Sequence, residues 1–572
     1  MVADMKGQQD GVAQIMRTLL VGIATGLGFG LVMALVSNGF VIGVRWLSRL
    51  RVDVDFPAID LGGMAISPAP LLGLLLAAVI ILGVRRIFGI SRWHGPADSI
   101  FAAHRTDNEL DVKAGFGSTV AAFVSASGGA SVGQYGPLVH FGATMGSLIR
   151  QITGSHITTD IFIGCGVAGA IAAGFNAPIA GVVFAHEAIL RHFSLRAIAP
   201  IAVSSITAAW ISQWIFGNNP LFVIGGLRPD LIELLPAALI AGPFFGLLAV
   251  LFMQALRTSA RFAGGSGWSP TRLVFTAAIV TGVVGMFVPE ILGLGGETVS
   301  AVLHGEFSEI YLLILLCLKL VMTAVCIGFG MFGGVFSPAM FVGVTAGAVA
   351  GRLFALLGFS VTGPGLAICG MAAVAAAVIG APVAGVLIIL EMTMSYEYAL
   401  AAMLSIVTAT MVSNLVFGHS FFDRQLLDRG IDVAQGRGHI EMMETQILSI
   451  ASSDFVRLPP ETTVPEAIDA MAHAEATEAY LVAQDEAFVG KVTLHHLIGK
   501  TGPVASHKLN EPISIKSDAS LQQAIEVASN FVGESIPIID RDKNRLEGVV
   551  TEADLFQLYL TLQSRVTDLE RS

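Results

Sequence analysis

The sequence predicts an all-α polytopic membrane protein of two homologous halves built from broken and tilted helices, followed by a smaller soluble α/β region. Three observations support this fold class: an apolar composition, a glycine–proline motif that occurs twice, and a change of composition near residue 423. Of the 572 residues, 54% are hydrophobic and 13% are charged, and the mean hydropathy is +0.74. This composition is typical of a chain that crosses a bilayer many times, and it excludes an ordinary soluble protein.

Apolar segments follow one another from residue 15 to residue 417. Several are shorter than the roughly 20 residues that a helix needs to span a bilayer, so we expect half-spanning and tilted helices among full-length ones. The first segment is too long for the core of a signal peptide and is expected to be retained as a membrane helix. The predicted helices are 15–47, 69–88, 114–128, 136–152, 160–173, 177–191, 196–216, 231–257, 272–290, 309–329, 337–357, 364–378, 382–394 and 398–417.

One short motif occurs twice in this region. Residues 133–137 read Gly-Gln-Tyr-Gly-Pro, and residues 334–338, 201 positions later, read Gly-Val-Phe-Ser-Pro. Proline is favoured at the start of a helix because its missing N–H would have no partner there, so each copy predicts a helix N-terminus. The amides and dipole of such an end amount to about half a positive charge. Two of these ends facing each other would form an anion site, with contacts from Gly133, Gln134, Tyr135, Gly136, Val335 and Phe336.

The internal repeat extends beyond this motif. Residues 165–187 match residues 369–391 at an offset of 204, with 11 identities in 23 positions, including Cys-Gly, Ala-Pro and a final Glu. Two related halves with interrupted helices are typical of transporters and channels whose site lies near the middle of the membrane. We place the halves at about 15–216 and 231–422, within a membrane domain of residues 1–422.

Charge is distributed unevenly along the chain. Residues 418–572 hold 13 Lys and Arg but 24 Asp and Glu, so the whole formal net charge of −11 lies in the tail. An acidic tail argues against nucleic-acid binding. The membrane part carries no net charge, so attraction of an anion must come from backbone dipoles and a few local side chains.

Motifs for metal binding and catalysis are not evident. The cysteines lie in apolar segments without metal-ligand or redox spacing, and we interpret them as buried small residues; they are Cys165, Cys317, Cys326 and Cys369. The sequence shows neither a phosphate-binding Gly-rich loop with Lys nor a nucleophile elbow. We therefore predict no enzymatic activity, no metal site and no required cofactor.

The soluble region carries a repeat of its own. Residues 464–482 and 490–493 pair with residues 521–539 and 548–551, and each copy predicts a helix, two strands and a helix. This pattern resembles a tandem pair of CBS domains, at about 447–502 and 505–565, after a linker at 423–446. The resemblance implies an adenine-nucleotide site that uses Thr551 and Asp554; His496 replaces that carboxylate in the first copy. A purely structural role in packing a dimer is the alternative.

The membrane part resembles the CLC family of chloride channels and chloride/proton exchangers. The resemblance rests on both glycine–proline motifs, on the 175–187 segment and on residues 420–426, Ser-Phe-Phe-Asp-Arg-Gln-Leu. It implies a homodimer in the lipid bilayer, one pathway for small inorganic anions in each subunit, and two inverted halves. It also implies a bacterial inner-membrane location, with the N-terminus and the CBS domains in the cytosol.

This sequence departs from the family pattern at its functional positions. Tyr135 stands where exchangers and most channels have a gating glutamate, and Ala188 replaces the second proton-carrying glutamate. Phe422 replaces the tyrosine that contacts the central anion, and His94 aligns with a serine of the pathway. A phenol keeps its proton at physiological pH, so Tyr135 predicts a neutral donor or plug at the gate.

These departures favour passive, poorly pH-dependent chloride conduction. An exchanger with a rerouted proton path through His140 and His186 is the alternative, although an isolated histidine in an apolar segment is more often a packing residue. A third possibility is a pathway gated by adenine nucleotide on the CBS pair.

Overall fold

The structure, a computed structural model, describes residues 2–53, 59–60, 65–105, 107–153, 158–193, 195–217, 229–358, 364–509, 512–540 and 542–571. The chain forms two compact units. One comprises residues 1–103 and 107–430, and the other comprises residues 104–106 and 431–572.

The described segments of the first unit form helices, apart from one antiparallel pair of two-residue strands, β1 (Ile59–Asp60) and β2 (Ala65–Ile66). Its helices are α1 (Val2–Asp53), α2 (Ala69–Ile87), α3 (Pro96–His104), α4 (Val112–Gly128), α5 (Tyr135–Thr153), α6 (Thr159–Phe175), α7 (Pro178–Phe184), α8 (Leu195–Phe216), α9 (Leu231–Gly265), α10 (Pro270–Phe287), α11 (Gly296–Leu303), α12 (Glu309–Gly328), α13 (Phe336–Leu356), α14 (Gly365–Ile379), α15 (Pro382–Thr393), α16 (Tyr396–Val416) and α17 (Phe421–Leu427). After α7, a π-helical stretch continues over Ala185–Leu190.

The predicted helices and the all-α class are confirmed. All fourteen predicted segments are helical, and among the described residues eight helical stretches are long and apolar enough to cross a membrane. The short apolar helices α6, α7, α14 and α15 are the predicted half-length elements. Three further short helices, α3, α11 and α17, were not predicted, because segments of seven to nine residues carry little periodicity.

Glycines allow the helices of each half to cross closely. A Cβ atom on Gly166 of α6 would lie 2.0 Å from the carbonyl oxygen of Gly142 on α5. The second half repeats this crossing, since a Cβ atom on Gly370 of α14 would lie 2.4 Å from the carbonyl oxygen of Gly343 on α13. Small residues at helix crossings let membrane helices pack backbone against backbone. An equivalent glycine pair in each half therefore lets the helix that follows the glycine–proline motif pack closely against the next helix.

The second unit contains two small sheets and confirms an α/β class. Its helices are α18 (Arg437–Glu444), α19 (Val464–His473), α20 (Leu494–Leu497), α21 (Leu521–Ala528) and α22 (Glu552–Arg571). Its strands are β3 (Val456–Leu458), β4 (Glu478–Val482), β5 (Phe488–Thr493), β6 (Ile515–Lys516), β7 (Ile536–Asp540) and β8 (Arg545–Val550). The sheets have the orders β3-β4-β5 and β6-β7-β8, and in each the first pair is parallel and the second antiparallel.

The two sheets correspond to the two predicted repeats. Each repeat has a separate apolar core, one around Val464, Met471 and Leu481, the other around Leu521, Ile538 and Leu555. The parallel strands β3 and β6 were missed, because two or three residues are too few to show alternation.

Candidate functional site

The two glycine–proline motifs meet. The amide of Gly133 donates to the carbonyl of Gly334 at 2.7 Å, and the amide of Gly334 donates to the carbonyl of Gly133 at 2.6 Å. A Cβ atom on Gly133 would lie 2.9 Å from the Gly334 carbonyl oxygen, so a larger residue does not fit here without a shift. The predicted meeting of the two helix starts is therefore observed, and the amide of Gly133 is used in the junction.

Both helices begin beside this junction. The amide of Leu138 bonds to the carbonyl of Gln134, and the amide of Ala339 bonds to the carbonyl of Val335, so these are the first intrahelical bonds of α5 and α13. Amides in the first turn of a helix have no partner within that helix. In this pair of helices those amides belong to Tyr135, Gly136, Phe336 and Ser337. The positive ends of two helix dipoles thus lie together, which suits an anion.

A cavity of about 70 Å³ lies against these helix starts. Its wall includes the predicted residues Tyr135, Gly136, Val335, Phe336 and Phe422. Further wall residues come from several other elements, among them Trp93, Gly95, Asp98, Ile171, Phe184, Ile379, Gln425 and Arg429.

The remaining predicted contacts lie outside this wall. Gln134 is buried, and its side-chain oxygen has no hydrogen-bond partner. The backbone amide of His94 bonds to the hydroxyl of Ser118 at 2.9 Å, and its ring centroid lies 6.1 Å from that of His140. Neighbouring Trp93 and Gly95 border the cavity instead.

The Tyr135 ring is held in an aromatic cluster. It stacks on Phe175 at a centroid distance of 3.7 Å and meets the ring of Phe336 edge-on at 5.6 Å. Its hydroxyl donates to the carbonyl of Gly174 at 3.3 Å. The side chain is only 6% exposed. Tyr135 therefore contributes to the cavity wall a ring whose hydroxyl already has an acceptor.

Phe422 lies in the first turn of the short helix α17. Ser420 caps this helix by accepting from the amide of Asp423, and an ion pair between Asp423 and Arg191 anchors it. The Phe422 ring borders the cavity but has no hydroxyl to offer an anion.

A buried carboxylate at the cavity was missed by the sequence reasoning. Asp98, 6% exposed, forms ion pairs with Arg92 at 2.7 Å and Arg429 at 2.8 Å. Its other oxygen accepts from the amide of Gly95 at 2.9 Å, which fixes the turn before α3. The sequence signal for this residue is an Asp two positions after a Pro that starts a helix. Its partner Arg429 lies 331 residues away in the chain, so the ion pair itself is not visible in the sequence. The cluster of Arg92, Arg429 and Asp98 carries one net positive charge at the edge of the cavity.

The glutamates of the repeat form reciprocal caps between the two halves. Glu187 accepts from the amides of Val383 and Ala384 at 3.0 and 2.7 Å. Glu391 accepts from the amides of Ile179 and Ala180 at 3.0 and 2.8 Å. Each carboxylate thus caps the helix that starts in the opposite half, a role that the sequence did not reveal.

The histidines of the alternative proton path have local partners. His140 is 1% exposed, and its Nδ1 lies 2.8 Å from the hydroxyl of Ser99. The Nδ1 atom of His186 lies 2.9 Å from the carbonyl of His192, and its ring stacks on Phe193. In both residues the buried Nε2 has no hydrogen-bond partner.

Among the described residues, no cluster of three His, Cys, Asp or Glu side chains is placed to hold a metal ion.

In the soluble unit, Thr551 and Asp554 are adjacent at the start of α22. One oxygen of Asp554 accepts from the amide of Thr551 at 3.0 Å and from its hydroxyl at 2.7 Å. The second carboxylate oxygen is the predicted acceptor for a ribose and takes no part in these two bonds. His496, at the matching place in the first repeat, is exposed.

Comparisons with known proteins give a family for each of the two parts of the chain. The family model described as voltage gated chloride channel matches residues 73–414, and the CBS domain model matches residues 447–501 and 506–561. A putative chloride channel protein ClcB-like from Ralstonia nicotianae is 30% identical over 369 residues, which cover 61% of this chain and 84% of that protein. An H(+)/Cl(-) exchange transporter ClcA from Vibrio campbellii is 28% identical over 427 residues, which cover 70% of this chain and 87% of the relative.

A solved structure shows the same fold. The crystal structure of a slow cyanobacterial Cl-/H+ antiporter superposes with a TM-score of 0.63 at 23% identity, covering 72% of this chain and 98% of the antiporter. Because the family model spans more than half of the sequence and the helix starts meet as the repeat predicts, this chain belongs to the CLC family of anion transporters and carries two CBS domains after its membrane unit.

Proposed function

We propose that the chain is a passive chloride channel with weak dependence on pH. The observation that carries the proposal is Tyr135, a phenol that borders the cavity at the start of α5. Coupled exchange requires a group that binds a proton and the anion alternately, and a phenol does not release its proton at physiological pH. Ala188 provides no second carboxylate.

In this proposal the anion lies between the two helix starts. The amides of Tyr135, Gly136, Phe336 and Ser337 donate to it, and the rings of Tyr135 and Phe422 form part of the cavity wall. The arginines beside Asp98 supply the positive potential that the neutral membrane region as a whole lacks. Gly133 and Gly334 keep the two helix starts in register.

The test is an anion-flux assay in proteoliposomes with simultaneous recording of pH. We expect chloride to move down its gradient without stoichiometric proton movement, and a pH gradient to leave chloride at equilibrium. The Vibrio exchange transporter, reconstituted in the same way, is the positive control for coupling. Chloride driven uphill by a pH gradient would rule out the channel.

The alternative is a chloride/proton exchanger with an altered proton path. It is favoured by relatives that are named exchange transporters and by the two buried histidine nitrogens without partners. If His140 and His186 carry protons, replacing both with Asn should abolish proton movement and leave chloride movement. Proton movement that survives the double replacement would remove this path.

Assembly, topology and nucleotide binding complete the proposal. We expect a homodimer in the bacterial inner membrane with both the N-terminus and the CBS domains in the cytosol. Adenine nucleotide is the proposed ligand of the CBS pair, at Thr551 and Asp554. The transport of small inorganic anions requires no cofactor.

A further inference from the structure

We infer that the cavity selects weakly hydrated monovalent anions, such as nitrate, iodide and thiocyanate, over chloride and over fluoride. This inference rests on the proposed anion pathway and names the class of anion that it prefers. It follows from the walls of the cavity, from the hydrogen bonds that their polar side chains already make, and from the size of the cavity.

The walls are mainly aromatic and aliphatic. Tyr135 and Phe336 contribute rings from the two helix starts, Phe184 and Phe422 contribute rings from other elements, and Ile379 adds an aliphatic side chain. The edge of an aromatic ring carries a weak positive charge, and its carbon framework forms no strong hydrogen bond. Such walls accept a large, polarisable anion but do not replace the water around a small one.

The polar side chains of the wall mostly have partners within the protein. The Tyr135 hydroxyl donates to the Gly174 carbonyl, and the Trp93 indole donates to the Gly330 carbonyl at 3.0 Å. Asp98 is ion-paired with Arg429. The absence of a hydroxyl at Phe422 removes one more donor, which leaves the first-turn amides, Gln425 and the remaining N–H groups of Arg429 to meet an anion.

The cavity is too small to compensate with water. One water molecule needs roughly 10–15 Å³ of such space. A volume of about 70 Å³ therefore admits an anion with only a few waters and not with a complete hydration shell. Removing an ion from water costs free energy unless hydrogen bonds replace those lost, and this cost is greatest for the most strongly hydrated ions.

Charge near the cavity does not reverse this order. The titratable and charged side chains in its wall are Tyr135, Asp98 and Arg429, and Arg92 pairs with the same Asp98 carboxylate. Two arginines and one carboxylate leave one positive charge, which attracts every monovalent anion and distinguishes among them only through their small differences in radius. Dehydration then decides among these anions.

The test is an efflux series with the full-length protein in proteoliposomes at neutral pH. Separate vesicle preparations are loaded with thiocyanate, iodide, nitrate, chloride or fluoride at equal concentration. We expect the first three to leave faster than chloride and fluoride to leave most slowly. Chloride efflux equal to or faster than that of both nitrate and iodide would overturn the inference. Failure of every anion to move would instead contradict the proposed conduction.

A variant tests the donor argument separately. Phe422→Tyr returns one hydroxyl to the wall, so we expect the chloride-to-nitrate efflux ratio to rise by about two- to tenfold, the effect of one net hydrogen bond. Phe417→Tyr, outside the cavity wall, should leave the ratio unchanged. An unchanged ratio in a Phe422→Tyr protein that elutes as a single species would contradict the role of the missing donor. If that variant does not fold, the wild-type efflux order decides.

Discussion

At the scale of single residues, we propose that Tyr135 determines how the pathway responds to protons. Its ring is fixed by Phe175 and Phe336, and its hydroxyl is satisfied by the backbone at Gly174. Neither contact changes with pH in the physiological range, because the phenol stays neutral there. Wild-type flux should accordingly vary little between mildly acidic and neutral pH.

Replacing Tyr135 with Glu should make chloride flux acid-activated. A carboxylate in a water-poor anion site competes with chloride while charged, and burial favours its neutral form, so it releases the site when the medium is acidified. The measurement is initial chloride efflux as a function of pH in wild type and variant. Parallel pH profiles for the two proteins would contradict this role for the position.

Tyr135→Phe is the matched control for that experiment. It keeps the stacked ring and removes only the hydroxyl, whose hydrogen bond to Gly174 contributes about 0.5–1.5 kcal/mol. We expect flux in this variant to remain independent of pH.

At the scale of helices, the reciprocal caps hold the two halves together. Glu187 and Glu391 each satisfy two first-turn amides of a helix in the other half, where the positive end of the dipole favours a carboxylate. Helices α7 and α15 begin at Pro178 and Pro382, so each lacks one amide already and presents the next two to the cap.

Replacing either capping glutamate with Gln should destabilise the membrane unit. The amide retains one oxygen, so one of the two capped N–H groups loses its acceptor, at a cost of about 0.5–1.5 kcal/mol for one net hydrogen bond. Thermal unfolding in detergent should show a lower midpoint for Glu187→Gln and for Glu391→Gln by similar amounts. The control is Glu306→Gln at an exposed site, and equal midpoints in all three variants would refute the capping role.

The helical elements were largely predictable, whereas the contacts among the cavity residues were less so. The length of an apolar segment and a glycine–proline motif at its start are local signals, so the positions of helices such as α5 and α13 follow directly from the sequence. The ion pair between Asp98 and Arg429 and the cap from Glu187 join residues far apart in the chain, and no local pattern encodes such pairs. Alignment with a family motif identified position 94, but the structure places its neighbours Trp93 and Gly95 at the cavity.

At the scale of the whole molecule, a buried polar cluster joins the two repeats of the soluble unit. Lys491 of β5 pairs with Glu478 of β4 at 2.6 Å and also donates to the carbonyl of Ser535 in the second repeat. The hydroxyl of Tyr480 donates to the same carbonyl at 2.8 Å. Burial lowers the pKa of Lys491, and the neighbouring carboxylate opposes this effect.

Removing Lys491 alone should strongly destabilise this unit. Lys491→Met leaves the buried Glu478 carboxylate without a countercharge, although it still accepts from the amide of Ser535, and this loss costs about 3–5 kcal/mol. Chemical unfolding of the soluble unit should show this loss, and the double variant Lys491→Met/Glu478→Gln should recover much of it. Lys500→Met, at an exposed position, should unfold like the wild type. A double variant no more stable than the single one would argue against charge burial as the cause.

Nucleotide binding by the tail gives a separate prediction. ATP or AMP should raise the melting temperature of a fragment covering residues 430–572, because a ligand of the folded form stabilises it. Asp554→Ala should abolish the shift, since the ribose hydroxyls would lose their acceptor, at a cost of about 1–3 kcal/mol. If millimolar nucleotide leaves the melting temperature unchanged, the unit serves only in packing.

The junction of Gly133 and Gly334 also bears on how such a protein originated. Each half supplies only one of the two helix starts, and the hydrogen bonds that align them run between the halves. A gene that encoded a single half would specify an incomplete site. Its product would conduct only if two copies inserted in opposite orientations and paired at this glycine. Duplication and fusion of such a gene would have made this pairing permanent, and would have freed each copy to acquire residues, such as Tyr135, that the other does not share.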